Sequence, residues 1–175
     1  EQAKKDINDL KDKVDIVMVS IDWGNVGKIE VTDKQKQTAT YLSELGADII
    51  VGNTGYSIQT IEKINNTIVF YSLGNLLSGH TMVDSRISAV IDFKVNLTEK
   101  EDERKIEFKN IKVLLTYAYN NDNTDYKVIP FNKLDKELKN YKTYYDKYTE
   151  ILTKNEKEVT LYKIGDENGN TKQES

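Results

Sequence analysis

The chain has 175 residues, 38% hydrophobic and 31% charged, with 25 Lys and Arg against 29 Asp and Glu and a formal charge of −4. It has no cysteine and a single histidine, His80, which excludes disulfides, thiol nucleophiles, zinc-finger and iron–sulfur centres, and any site built on two of its own imidazoles. Residues 1–92 carry the whole of the −4 while residues 93–175 are balanced, so no phosphate-tracking basic face is expected and no nucleic-acid partner.

In chain order, Ala3, Ile7, Leu10 and Val14 recur every three or four residues and predict one face of a helix. VDIVMVS (14–20) is short and β-branched, as a buried strand is. A polar loop with two glycines follows over 22–31. Thr32 and Gln35 form a capping-box pattern, which predicts a helix from Asp33 to Leu45, closed by Gly46 in a left-handed conformation. ADIIVG (47–52) reads as a second buried strand, so 14–52 is a βαβ unit with parallel strands and a right-handed crossover. Asn65-Asn66 between IQTIEKI and TIVFYS predicts a tight hairpin. Residues 86–97, 106–119 and 126–131 read as further strands, and EKEDERK (99–105) as a solvated charged turn. Asn132 is the expected cap of a long polar helix reaching about Asn155, and residues 165–175 are expected to fray. The expected division is an α/β domain over 1–131, a Tyr-rich helix over 132–157 and a tail over 158–175. No apolar run is long enough to cross a bilayer.

Seven of the nine glycines precede residue 80, and none lies between 80 and 164, which places any site in the first half. In open α/β sheets ligands sit beyond the carboxyl ends of the parallel strands. Those ends carry Asp22-Trp23-Gly24-Asn25 and Gly52-Asn53-Thr54-Gly55-Tyr56, and a further Gly-Asn pair, Gly74-Asn75, follows the hairpin. Asp22, Asn53 and Asn75 can converge as oxygen donors for Mg²⁺, Ca²⁺ or Mn²⁺, or can simply cap their own turns. Trp23 reads as packing or as a stacking surface, and His80 as a surface histidine. Ser72 and Ser78 have no evident base, so a serine hydrolase is excluded. Tyr141, Tyr144, Tyr145 and Tyr148 share one helical face, either packed on the sheet or presented to a partner or glycan.

The stretch VDIVMVSIDWGN (14–25), Gln35, GADIIVG (46–52), Gln59, Ile61-Glu62 and IVFYSLGNLL (68–77) resembles, in order and spacing, the CapA family of capsule-synthesis proteins. These are poly-γ-glutamate biosynthesis proteins of the PgsA type, within the calcineurin-like metallophosphatase superfamily. The resemblance implies part of a mixed-sheet α/β sandwich of metallophosphatase type, with antiparallel strands and a long C-terminal helix after the βαβ unit. It also implies an extracytoplasmic setting, tethered by an N-terminal segment upstream of Glu1. The family's imidazoles, however, fall on Asp22, Thr54 and Tyr56, its acidic residue after Trp-Gly falls on Val26, and its earlier ligand motifs have no counterpart in residues 1–13.

A two-metal phosphoesterase needs its cations to activate water and neutralise phosphate. The expectation is therefore a divergent, non-catalytic component in making, exporting or anchoring an anionic cell-surface polymer, with other capsule-synthesis components as partners and no cofactor. Asp22 is the best remaining metal candidate in a vestigial site of Asp22, Trp23, Asn25, Asn53, Thr54, Tyr56 and Asn75. The alternative is a Mn, Zn or Mg phosphoesterase whose remaining ligands lie in an N-terminal region outside this chain.

Overall fold

The computed structural model describes residues 1–53, 55–100, 103–122 and 124–164. The chain runs α1 (Gln2–Lys11), β1 (Met18–Ile21), α2 (Asp33–Leu45), β2 (Ile49–Gly52), β3 (Ile61–Ile64) and β4 (Thr67–Phe70). It continues with β5 (Ile87–Lys100), β6 (Glu103–Asn121), β7 (Thr124–Pro130), α3 (Tyr141–Thr153) and β8 (Thr160–Leu161). This is a mixed α/β fold with two sheets.

The first sheet has the order β1-β2-β4-β3, with β1, β2 and β4 parallel and β3 antiparallel to β4. Parallel pairing of β1 with β2 across α2 is the expected βαβ unit. Its helix is bounded by local chemistry. Thr32 Oγ1 accepts from Gln35 N at 3.2 Å, Gln35 Oε1 accepts from Thr32 N at 3.0 Å, and Gly46 closes the helix at φ 104°. The hairpin turns at Asn65, at φ 52°, as its sequence requires.

The second sheet has the order β5-β6-β7, and β8 adds in parallel to β6. β5 and β6 are longer than expected because the charged turn pairs with itself. Thr98 lies opposite Lys105 and Glu99 opposite Arg104, and Glu101 and Asp102 fall outside the described residues. Arg104 is more than a solvated charge: its guanidinium donates to the Asp15 carbonyl and lies 3.5 Å from Asp48 Oδ2. Asp48 also accepts from Val17 N at 2.7 Å, so the tip of the second sheet is tied to the base of the first.

Two cores result. Val17, Ile50, Val69 and Tyr71 face Ile7 of α1 and Ala39 and Leu42 of α2. Ile49, Ile61, Ile68 and Phe70 face Phe108, Val113 and Leu115 of the second sheet, with Tyr148 and Leu152 of α3 in the same cluster. The first sheet is therefore sandwiched between helices and a second sheet.

Three expectations are corrected. The helical face of α1 buries only Ile7, while Leu10 and Val14 remain exposed. The first strand begins at Met18 rather than Val14, since only from there does it pair with β2. The C-terminal helix begins at Tyr141, not after Asn132. Asn132 lies in a 3₁₀ turn (Phe131–Lys133) and its buried Oδ1 has no hydrogen-bond partner among the described residues. Leu134 and Leu138 enter the core from non-helical chain, and Asn140 at φ 59° interrupts any helix there. On α3, Tyr148 is fully buried and Tyr141, Tyr144 and Tyr145 pack half-buried on the same core, which favours the packing reading of that face. Of the expected tail over 158–175, Val159 is buried in the core and Thr160–Leu161 pair with β6, while residues 165–175 lie outside the described residues.

Candidate functional site

The loops after β1, β2 and β4 do meet. Asn53 N donates to Ile21 O at 3.0 Å, Gly27 N to Gly55 O at 2.8 Å, and Gln59 N to Ser72 O at 3.0 Å. Trp23 lies between them. Its Nε1 donates to Tyr71 O at 2.9 Å, and its ring stacks on Tyr71 with centroids 5.5 Å apart at 27°. Trp23 is thus a packing residue that pins the first loop to the end of β4. Tyr71 is held in turn by its hydroxyl, which donates to Glu62 Oε2 at 3.0 Å, and burial together with the Glu62 carboxylate drives its pKa well above the usual phenol value.

Residues that look like a chemical signature turn out to build this scaffold. A side chain at Gly52 would put a Cβ 2.0 Å from Trp23 Nε1 and 2.1 Å from Tyr71 O. A Cβ at Gly74, which has φ +72°, would come within 2.4 Å of Ile87 O, because β5 passes against the loop there. Gln35 is buried. Its Nε2 donates to Gln59 Oε1 at 2.8 Å, and Gln59 Nε2 donates to Glu30 O at 3.0 Å. This pair of amides joins α2 to two of the three loops, a contact across 24 residues that no local pattern announces.

Among the expected site residues, the structure brings Tyr56 and Asn75 together, and adds His80. The Tyr56 and His80 rings lie 4.9 Å apart, tilted by 40°, and with Asn75, Leu77, Ser78 and Gly79 they line an open hollow of about 440 Å³. His80 is exposed, as a surface histidine is, but it is a wall of this hollow rather than an isolated side chain. Its backbone is fixed by a turn in which His80 N donates to Ser78 Oγ at 3.2 Å. Tyr56 itself stands at φ 52°, a left-handed conformation uncommon for a tyrosine.

Asp22, Trp23, Asn25 and Asn53 are not part of the described lining. Asn53 turns its amide to Ser20, Nδ2 donating to Oγ at 2.7 Å, and Asn75 Nδ2 points at Ser85 O at 3.4 Å. Asp22 is exposed in the first loop, and Asn25 O accepts from Lys28 N in a turn of that loop. Thr54 lies outside the described residues. Among the described residues no three His, Cys, Asp or Glu side chains gather as a group able to hold a metal ion. The donor set here, one carboxylate and two amides engaged elsewhere, does not fit a two-metal centre.

The hollow is braced from the side by a 3₁₀ turn, Val83–Arg86. Asp84 Oδ1 accepts from Lys147 Nζ at 2.5 Å and from Tyr148 Oη at 2.6 Å, fastening the loop after β4 to α3. Partial burial would raise the Asp84 carboxyl, but the hydrogen bonds from Lys147 and Tyr148 outweigh it and hold the group below its ordinary value. Among the described residues no helix is long and apolar enough to cross a membrane.

Residues 1–80 match the family model described as "Bacterial capsule synthesis protein PGA_cap". The chain is similar to the PGA biosynthesis protein CapA of Bacillus subtilis, 38% identical over 87 residues, half of this chain and 23% of that protein. It is also similar to the capsule biosynthesis protein CapA of Bacillus anthracis, 29% identical over 93 residues, 53% of this chain and again 23% of the relative. The matched region thus spans about a quarter of the length of these relatives. The βαβ unit, the β3–β4 hairpin and the YSLGN loop all lie inside the matched stretch, so the similarity to bacterial capsule synthesis proteins rests on residues 1–80.

Proposed function

We propose that the chain serves capsule-type polymer biosynthesis as a binding or scaffolding element on the outer face of a bacterial membrane, engaging an anionic cell-surface polymer or another synthesis component without hydrolysing phosphate esters. One observation carries this reading. The three positions at which the family resemblance implies imidazoles hold Asp22, Thr54 and Tyr56. Of these, Tyr56 faces a hollow walled by His80 and Asn75 instead of a ring of ligands. A hollow with two aromatic rings, an amide and a hydroxyl suits contact with a polymer segment better than it suits water activation.

The test is retention of the 175-residue chain on immobilised poly-γ-glutamate, with an uncharged polysaccharide as the control. Retention that drops about tenfold in Tyr56→Ala, a change of about 1.4 kcal/mol, supports the reading. Equal passage through both matrices counts against it.

A second reading keeps one observation in its favour. His80 stands beside Tyr56 and Asn75, so one imidazole is present at the strand ends. In that reading a phosphoesterase takes its remaining ligands from a region outside this chain. Elemental analysis separates the two: the first expects well under one Mn²⁺ or Zn²⁺ per purified chain, and no phosphomonoester hydrolysis for Asp22→Ala to abolish. About one metal per chain with Asp22-dependent hydrolysis would establish the second.

A further inference from the structure

One segment, residues 75–82, supplies all of the hollow's lining except Tyr56. It runs between the bridge at Gly74 and the 3₁₀ turn Val83–Arg86, and Leu76, Leu77 and Met82 along it are exposed. Ordering such a segment costs chain entropy that its own burial does little to offset, so its shape is set by its two feet.

The first foot is the Gly74–Ser88 bridge, with Ala89 N donating to Leu73 O at 2.8 Å. The second foot has two parts. Arg86 Nε donates to Ala118 O at 2.7 Å, and its guanidinium lies over the Tyr117 ring at 4.6 Å, which fixes the end of the turn on β6. Two residues nearer the hollow, Asp84 accepts from Lys147 and Tyr148 of α3. Asp84 is the only Asp, Glu, Lys or Arg from 75 through 85, so this part of the chain has no other ion pair to offer α3. Its release would leave the Tyr148 hydroxyl, on a fully buried ring, without that acceptor. From the turn the contact reaches the lining in one step, since Ser85 O faces Asn75 Nδ2 at 3.4 Å.

Resting on the reading of this hollow as the binding site, we infer that Asp84 is its positioning residue: held by Lys147 and Tyr148 from outside the lining, it sets where the 75–82 wall stands against Tyr56. All three residues lie beyond residues 1–80, the stretch that matches the family model. Opening the clasp moves the hinge of the wall from residue 83 to residue 85, frees Asn75 from Ser85 and separates His80 from the Tyr56 ring. Arg86 keeps the turn on β6 in either state, so both cores stay folded.

The test uses His80, the single histidine of the chain, as its own reporter. Its two carbon-bound ring protons give one pair of NMR signals, displaced by the Tyr56 ring 4.9 Å away. In Asp84→Ala these signals are expected to move to the positions they take in Tyr56→Ala, while the backbone amide signals of β1, β2 and β4 keep their parent positions. Lys147→Ala is expected to move them part of the way and Lys147→Arg to return them, whereas Lys142→Ala on the same helix leaves them in place. His80 signals unmoved in Asp84→Ala overturn the inference. Should Asp84→Ala fail to fold, the Lys147 pair decides: a shift in Lys147→Ala reversed in Lys147→Arg supports the clasp, and unmoved signals overturn it. On immobilised poly-γ-glutamate, Asp84→Ala is expected to lose about tenfold in retention, as Tyr56→Ala does. Retention equal to the parent's overturns the inference. A parent chain that is not retained counts against the polymer reading alone, because the His80 signals test the clasp with no ligand present.

Discussion

At Gly52 the end of β2 leaves no room for even one methyl group, because the Trp23 indole and the Tyr71 carbonyl already fill that space. Gly52→Ala must either expel Trp23 or push β4 aside, and its expected cost is about 3 kcal/mol, at the upper end for overpacking. A urea unfolding midpoint for the variant checks this. Asp84 gives a pH signature of the opposite kind. Its pKa is lower in the folded state than in the unfolded chain, so its stabilisation is complete above about pH 4 and is lost as the pH falls through the folded value. Thermal melts on a descending pH series should show the parent chain losing stability more steeply below about pH 4 than Asp84→Asn. The roles of Gly52 and Asp84 were not legible in the sequence. Each depends on a neighbour 19 or more residues away, and neither residue type in isolation distinguishes a turn glycine from a crowded one or a surface aspartate from a tether.

Among the elements, α2 was readable to the residue because every signal that bounds it is local: the Thr32–Gln35 box at one end and Gly46 at the other. What the box does not disclose is that Gln35 serves twice, capping the helix and holding Gln59 in the interior. Gln35→Ala should therefore cost more than a cap alone, about 2 kcal/mol, since it leaves the Gln59 amide oxygen buried without a donor. A cycle with Gln59→Ala should show a coupling of about 1 kcal/mol, measured by chemical denaturation. α3 failed to start where its polar pattern began because long-range packing of Phe131, Leu134 and Leu138 claims that stretch first. The β5–β6 ribbon outran its expected ends for a related reason: opposed charges such as Glu99 and Arg104 extend a ladder that composition alone marks as a loop. On its exposed face Glu107 accepts from both Lys105 and Lys109, and those hydrogen bonds hold its carboxyl down to about 2.

For the whole molecule, the segment that matches the capsule family is not the segment that completes a core. Ile49, Ile58, Ile61, Ile68 and Phe70 come from residues 1–80, but they are buried against Phe108, Val113, Leu115 and Phe131 from beyond them. A fragment ending at residue 80 should consequently lack a cooperative thermal transition, while the 175-residue chain shows one. Calorimetry of the two side by side decides the point. The convergence of the three strand-end loops was legible, because parallel strands with short loops must deliver their ends to one side. The pairing of Tyr56 with His80 was not, since it depends on how a turn 24 residues downstream folds back over the second loop.

The Trp23 contact has a practical consequence. The chain contains one tryptophan, and it is stacked, hydrogen-bonded and lodged among the loops that frame the hollow. Its emission is therefore a native optical probe that needs no label. Occupation of the strand ends, loosening of the β4 terminus or displacement of the first loop each alters the polarity around a single indole, so titrations and unfolding curves can be read from the same signal without interference from a second fluorophore of its kind.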